Sequence, residues 1–292
     1  MQTEHDDPNF EVRTIFTKSG NSINYETKIK KSGTWEWSGL SEMKKGAKKA
    51  IGYLVRNAKG YIELKLSKNV KIPKDELSKA LLQHVGVDTS KLDHALWEKI
   101  PEKIADKIAS DLLDSCQKAQ KQVYKSSEGK ILGAVFAVDE MMVEQSWQVK
   151  FSNVEFSSVS KEPNSGNDIA VLLHVTDGQG KSAIKTLWFQ AKKDASSNKA
   201  DDEHSELEEQ LAVMRNITAA SYPLFLTPTK IYVKENLGDT DKIDLYKFIA
   251  DAVRCKYGDK REEVFAESVD RSTIFEVAIK KINKPKKLQH TI

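Results

Sequence analysis

The sequence is poor in cysteine and has no long apolar run. These two absences argue against a cysteine-based zinc site and against a membrane-spanning helix. Two of the 292 residues are cysteines, Cys116 and Cys255, and no paired Cys or His spacing indicates a zinc site. Two such distant cysteines predict reduced, inert thiols. No apolar run approaches the roughly 18 residues of a membrane helix, and the start, MQTEHDDPNF, has no signal-peptide pattern. We therefore expect a cytoplasmic protein with no membrane partner.

The net charge is also small, at +3, but the basic residues are unevenly distributed. The tail KKINKPKKLQHTI is strongly basic, and four lysines cluster near the N-terminus: Lys44, Lys45, Lys48 and Lys49. Such clusters suit a phosphate backbone or an acidic partner. The alternative is that these lysines form solvated faces with no ligand. Composition therefore permits a nucleic-acid partner without requiring one.

A change of pattern at SSEGK, residues 126–130, predicts a boundary between two parts of the chain. Residues 1–125 form a predicted α+β module for sensing, docking or oligomerisation, and residues 126–292 form a second domain. Residues 39–58 are a predicted helix, because five apolar residues have helical spacing: Leu40, Met43, Ala47, Ile51 and Leu54. The order β-β-β-α-β-α-β after residue 130 predicts an α/β (α+β) fold, a mixed sheet with an antiparallel start and flanking helices.

The stretch LWFQAKKD, residues 187–194, ends an apolar strand with two polar side chains on one face. Gln190 and Lys192 are two residues apart, and side chains of a strand alternate between faces. The segment DGQGK, at 177–181, predicts a hairpin that pairs this strand with DIAVLLHVTD. Because the pairing is antiparallel, Asp168 at the start of the first strand should lie opposite residues 188–192.

A carboxylate, an amide and an ammonium at one sheet edge suit metal-assisted phosphodiester cleavage. Mg²⁺ or Mn²⁺ prefers oxygen ligands, which Asp168, Gln190 and the backbone carbonyl of Ala191 can provide. Lys192 would orient an attacking water or stabilise charge on the phosphate. The alternatives are that Asp168 caps a turn and that Lys192 is an exposed strand end.

These segments resemble the core motif of the PD-(D/E)xK nuclease superfamily, which has the restriction-endonuclease-like fold. The resemblance covers residues 130–255, with Asp168 as the family's aspartate and with Gln190 and Lys192 in FQAKK as its (D/E)xK. The glutamine is similar to a Q-x-K subset that is frequent among prokaryotic defence nucleases. The resemblance implies a further role for Gln210, beside the catalytic lysine, and a metal-binding acid from an upstream helix. We favour Glu144 for that acid.

Two other acids, Glu140 and Glu155, remain alternatives to Glu144, and Glu140 and Glu144 are predicted to share a helix face. The resulting hypothesis is a Mg²⁺-dependent nuclease that cleaves DNA in anti-phage defence, with a homo-oligomer implied by the resemblance. The alternative is a non-catalytic nucleic-acid-binding or assembly subunit of a defence or toxin complex, with a partner defence protein. The neutral Gln190 is the feature that keeps this alternative open.

Overall fold

The computed structural model describes residues 11–19, 22–30, 50–57, 62–66, 72–122, 125–136, 141–144, 146–157, 168–193, 200–268 and 273–282. Within these ranges the chain is a mixed α+β structure built on one long sheet. The predicted fold class is confirmed at this level. The four-lysine cluster of residues 44–49 and the last ten residues of the basic tail lie outside the described residues.

The first four strands come from the N-terminal part of the chain: β1 (Glu11–Ser19), β2 (Ser22–Lys30), β3 (Ala50–Asn57) and β4 (Ile62–Leu66). The helix predicted for residues 39–58 is wrong where the structure describes it, because residues 50–57 form β3. Ile51 and Leu54 satisfy a helical period, but β3 also carries Tyr53 and Val55, whose side chains favour strands. Antiparallel pairing with both β1 and β4 then decides the conformation.

Three helices follow, α1 (Lys74–His84), α2 (Glu102–Gln120) and α3 (Glu128–Val135). Prolines immediately before α1 and α2 set the backbone at each helix start, as their fixed φ favours. Gly86, with φ of 82°, lies two residues beyond the end of α1. The segment between α1 and α2 forms two short 3₁₀ helices, Thr89–Lys91 and His94–Lys99.

The remaining elements alternate strands with helices. In chain order they are β5 (Met141–Glu144), β6 (Trp147–Ser157), β7 (Ile169–Thr176), β8 (Ser182–Lys193), α4 (Ala200–Arg215), β9 (Ser221–Leu226), β10 (Ile231–Val233), β11 (Ile243–Asp244), α5 (Leu245–Val253), α6 (Glu262–Ser268) and β12 (Thr273–Lys281). The short α6 was not predicted from the sequence.

The strands form one sheet in the order β11-β10-β9-β8-β7-β12-β6-β4-β3-β1-β2, with β5 paired to β6. The β7–β8 pair is antiparallel, whereas β8 runs parallel to β9 and β7 runs parallel to β12. β4 joins the N-terminal strands to β6 through a short parallel contact. The centre of the sheet is therefore made of long strands, with β7 and β8 as neighbours.

Helices cover both faces of the central strands and bury an apolar core on each. On one face α2, α3 and α5 pack against alternate residues such as Val171 and Leu173, and we call this the first core. On the other face α1, α4 and α6 pack against residues such as Ala170, Leu172 and Trp188, which is the second core. Each core contains residues from both sides of the predicted boundary at 125/126, so the two parts of the chain pack together. The boundary itself stays a prediction.

Among the described residues, no helix combines the length and apolar character needed to cross a membrane. Both cysteines carry free thiols in different surroundings: Cys116 is buried in the first core and Cys255 is exposed. Burial, with a smaller contribution from the charge of Asp244, raises the pKa of the Cys116 thiol to about 12. Cys116 should therefore be a poor nucleophile in the folded protein.

We expect iodoacetamide at pH 8 to modify Cys255 in the native protein and to leave Cys116 unmodified. The reason is that the raised pKa keeps the Cys116 thiol protonated at this pH, and the surrounding core excludes the reagent. Peptide mass spectrometry after timed alkylation measures both sites. In denaturant both cysteines should react, and rapid native modification of Cys116 would contradict the packing described here.

Candidate active site

The hairpin between β7 and β8 determines which residues meet where β7 begins and β8 ends, which we call the candidate-site edge of the sheet. Asp177 holds the turn, because its carboxylate accepts the backbone N–H groups of Gln179 at 2.8 Å and Lys181 at 2.9 Å. Gly180 provides the positive φ of 80° that the turn requires. The register then runs from Thr176 opposite Ser182 to Ile169 opposite Phe189. The predicted hairpin is present, and it carries Asp168 to the level of Gln190.

Asp168 contacts β8 through both its backbone and its side chain. Its backbone N–H donates to the carbonyl of Phe189 at 2.8 Å. Its Oδ2 accepts two hydrogen bonds, one from Gln190 Nε2 at 2.6 Å and one from the backbone N–H of Ala191 at 2.8 Å. Three of the predicted site residues are therefore in direct contact.

Gln190 lies below the surface, with 4% of the residue exposed. It continues the face of Trp188, whose side chain belongs to the second core, so it lies on the side of the sheet that α4 covers. Its Nε2 donates to Asp168, but its Oε1 is buried and meets no hydrogen-bond donor among the described residues. A buried amide oxygen without a partner is unfavourable unless an ordered water or a ligand satisfies it.

Lys192 shares the face of Gln190 and pairs with an acid on α4. Its Nζ lies 2.9 Å from Glu206 Oε2, and the lysine side chain is 20% exposed. Partial burial lowers the pKa of Lys192, but the hydrogen bond and charge of Glu206, with the charges of Glu128 and Asp168, outweigh it. The net pKa is raised above its ordinary value. Lys192 therefore carries a full positive charge at neutral pH.

Glu128, at the start of α3, is a site residue that the sequence analysis missed. Its Oε1 accepts the backbone N–H of Lys193 at 3.0 Å, and its charge acts on Lys192. Lys193 in turn donates from Nζ to the carbonyl of Ser126. α3 precedes the strands β5 and β6, so Glu128 is an acid at the start of an upstream helix. Glu128 lies in the segment SSEGK, which the sequence analysis interpreted only as a domain boundary, so its role at the strand end was not predicted.

The remaining predicted site residues have mixed positions. Glu144 is wrong as a helical residue, because Met141–Glu144 is the strand β5, paired with β6. Glu140 lies outside the described residues, and Glu155 lies on β6 opposite Thr273. Gln210 is on α4, one turn beyond Glu206, and its buried Oε1 has no hydrogen-bond partner within the described structure.

A second buried polar cluster crosses the sheet farther along the same strands. His174 Nε2 lies 2.9 Å from Glu276 Oε1 on β12, and Ser152 on β6 donates to the other oxygen of that carboxylate. His174 and Glu276 are 5% and 3% exposed. His174 therefore pairs with Glu276 through Nε2, while its buried Nδ1 has no hydrogen-bond partner among the described residues.

The acids of the described residues form no group of three or more His, Cys, Asp or Glu side chains suited to a metal ion. Any cation at this end of the strands would therefore take its protein ligands from the Asp168 carboxylate, the Gln190 amide oxygen and the backbone carbonyl of Ala191. Comparison with family models found no match, and searches of curated proteins and of solved structures found none either.

Proposed function

We propose that the protein is a metal-dependent nuclease that cleaves phosphodiester bonds, with its active site at the Asp168 end of the β7–β8 hairpin. The observation that carries the proposal is the buried, unpartnered Oε1 of Gln190 beside the Asp168 carboxylate. Lys192 adds a permanent positive charge at the same edge. The proposed fold for this function is the restriction-endonuclease-like one, on the strength of the sequence resemblance.

The oxygen atoms at this edge fit a hard divalent cation such as Mg²⁺ or Mn²⁺. Asp168 offers a carboxylate, Gln190 an amide oxygen that needs a partner, and Ala191 a backbone carbonyl. Mg²⁺ is commonly held by one or two carboxylates together with water and substrate phosphate, so a group of three acids is not necessary. When bound, the ion would supply Lewis-acid stabilisation of the phosphate and a more acidic water.

The protein's own residues would position the metal ligands, stabilise charge on the phosphate and hold the strand end in place. Asp168 and Gln190 would hold the oxygen ligands in place, because both are fixed by hydrogen bonds to the ends of paired strands. Lys192 would stabilise the negative charge that develops on the phosphate, since its raised pKa keeps it an ammonium rather than a general base. Glu206 would release Lys192 when the substrate phosphate arrives. Glu128 would keep Lys193 and the strand end in position.

DNA is the proposed substrate, and antiviral defence the proposed setting, on the basis of the Q-x-K resemblance. The basic clusters of the chain support a nucleic-acid partner, because phosphate contacts by lysine supply most non-specific affinity. A homo-oligomer is proposed on the same resemblance.

The second candidate is a non-catalytic nucleic-acid-binding or assembly subunit with the same site. It is favoured by the ion pair between Lys192 and Glu206, which occupies the ammonium that catalysis would use. The neutral Gln190 also lowers the negative charge available for a metal. Binding of DNA that weakens with salt, without cleavage, would identify this function.

Replacing Asp168 by asparagine is expected to remove metal binding while preserving the fold. Wild-type protein with Mn²⁺ at about ten times its Kd should gain about 1.4 kcal/mol of stability, a rise of roughly 2–3 °C in Tm for a chain of 292 residues. The variant should show no rise, because the charged ligand is lost and a neutral amide holds Mn²⁺ weakly. Differential scanning fluorimetry with and without Mn²⁺ measures the shift, and plasmid DNA incubated under the same conditions reports cleavage.

The matched control is Asp114→Asn, which removes the same charge from an exposed position on α2. It should keep the metal-induced rise and any cleavage. A metal-induced rise of equal size in Asp168→Asn would place the ion elsewhere and overturn the proposed site. Cleavage that continues in that variant would reject the nuclease mechanism, and DNA binding without cleavage in wild type would select the second candidate.

A further inference from the structure

Lys185, in the middle of β8, is a fully buried lysine on the opposite face from Gln190. It is 0% exposed, its Nζ donates to the carbonyl of Ala252 at 2.6 Å, and it lies 4.3 Å from the centre of the Trp97 ring. Burial lowers the pKa of Lys185 to about 8, and the charge of Lys260 acts in the same direction, while Cys255 opposes both. Near pH 8 a large fraction of molecules therefore carries a neutral, nucleophilic amine at this position.

The loop after α5 folds directly over Lys185. Cys255 and Gly258 in this loop have positive φ angles, 72° and 107°. A Cβ at Gly258 would lie 3.1 Å from Lys185 Cβ, so the loop backbone packs against the lysine stem. The antiparallel bridge between Thr186 and Asp259 fixes this contact.

Cys255 lies beside the buried amine. The carbonyl of Ala252 accepts both the backbone N–H of Cys255 at 3.1 Å and Lys185 Nζ at 2.6 Å, so one oxygen brings the two residues together. The charge of Cys255 also acts on the Lys185 ammonium and raises its pKa, against the larger effect of burial. Cys255 is exposed and Lys185 is fully buried. An oxidant from solvent therefore reacts with the Cys255 sulfur before it can reach the Lys185 nitrogen.

We propose that Cys255 and Lys185 form a covalent sulfur–nitrogen bridge, a sulfenamide, when the protein meets a hydroperoxide. In the first step the Cys255 sulfur attacks the O–O bond of hydrogen peroxide. An S–O bond forms, the O–O bond breaks, the sulfur loses two electrons to the peroxide, and one water leaves. The product is a sulfenic acid, the first step of cysteine oxidation.

In the second step the lone pair of the neutral Lys185 amine attacks the sulfenic sulfur. The S–N bond forms as the S–O bond breaks, and the departing hydroxide takes a proton from the nitrogen and leaves as a second water. No further electrons are transferred. The net change in the protein is the loss of two hydrogen atoms, and a dithiol reductant reverses it by attacking the sulfur.

The surroundings of Lys185 predict how the reaction depends on pH. The titratable or charged groups that act on Lys185 are Cys255 and Lys260. His94, in the 3₁₀ helix His94–Lys99, interacts with it as well: burial lowers the pKa of the His94 ring, and the charges of Lys260 and Lys185 lower it further. Below the pKa of about 8 the amine is protonated and cannot attack, so bridge formation should slow as the pH falls from 9 to 6. The steepest change should fall near pH 8.

The test treats the full chain with a few equivalents of hydrogen peroxide, alkylates remaining thiols with iodoacetamide, and measures intact mass and tryptic peptides. We expect a species that has lost two hydrogen atoms, and a linked peptide pair joining Lys185 to Cys255 that dithiothreitol separates. Trypsin should not cut at the linked Lys185. Because the linked peptides are read in the wild-type chain, this readout does not depend on whether any variant folds.

The variants divide the possible outcomes. Cys255→Ser and Lys185→Met should abolish the linked pair, and the matched control Cys116→Ser should retain it, since Cys116 is buried with a raised pKa. Oxidation of wild-type Cys255 to sulfinic or sulfonic acid with no linked peptide at any pH from 6 to 9 would overturn the proposal. A linked pair of equal yield at pH 6 and pH 9 would overturn the role of the neutral amine.

Discussion

Replacing Lys192 by methionine is expected to lower the rate of metal-dependent DNA cleavage about 100- to 1000-fold, the usual cost of losing one charge-stabilising group in a transition state. Methionine keeps a similar length and packing but carries no charge. Because the raised pKa keeps Lys192 an ammonium, its contribution is electrostatic, and the loss should appear mainly in kcat. Single-turnover cleavage of a labelled duplex with Mn²⁺ measures the rate.

The matched control for this experiment is Lys247→Met, which removes the same charge from an exposed position on α5. Its cleavage rate should stay close to wild type. Glu206→Gln gives a second comparison, because it releases the Lys192 ammonium from its ion pair without removing it, and cleavage should be retained or increased. A Lys192→Met variant that cleaves at the wild-type rate would rule out the mechanism proposed here.

The contact between Asp168 and Gln190 was predictable because it depends on one local rule. A tight turn at residues 177–181 fixes the register of the hairpin, and the register then places residue 168 opposite residue 190. Alternation along β8 places Lys192 on the same face as Gln190. None of these steps required knowledge of how distant parts of the chain pack.

The acids around Lys192 were not predictable in the same way, because they arrive from other elements. Glu206 reaches it through the packing of α4 on the second core, and Glu128 through the position of α3 at the strand end. The sequence pattern of each helix gives its apolar side but not the point on the sheet where it docks. A glutamate in either helix therefore looks like any solvated acid.

Two errors share a different cause, which is that short apolar segments fit both helical and strand periods. Residues 50–57 and 141–144 were predicted as helical, and both form strands, β3 and β5. The conformation of residues 50–57 is decided by pairing with β1 and β4. The conformation of residues 141–144 is decided by pairing with β6, the next strand along the chain. Tertiary hydrogen bonding overrides the local preference in both cases.

Replacing Phe275 by alanine is expected to lower the free energy of unfolding by about 3–5 kcal/mol, because it leaves a cavity in the centre of the sheet. Phe275 is 0% exposed on β12, with its ring centre 4.6 Å from that of Phe136 and 5.9 Å from that of Phe151. Urea denaturation followed by tryptophan fluorescence measures the change. Val213→Ala, at a side chain 43% exposed on α4, should change stability by less than about 0.5 kcal/mol. A cost below about 1 kcal/mol at Phe275 would mean that β12 does not hold β6 and β7 together as described, and the position of Asp168 at the edge of β7 would then lose its support.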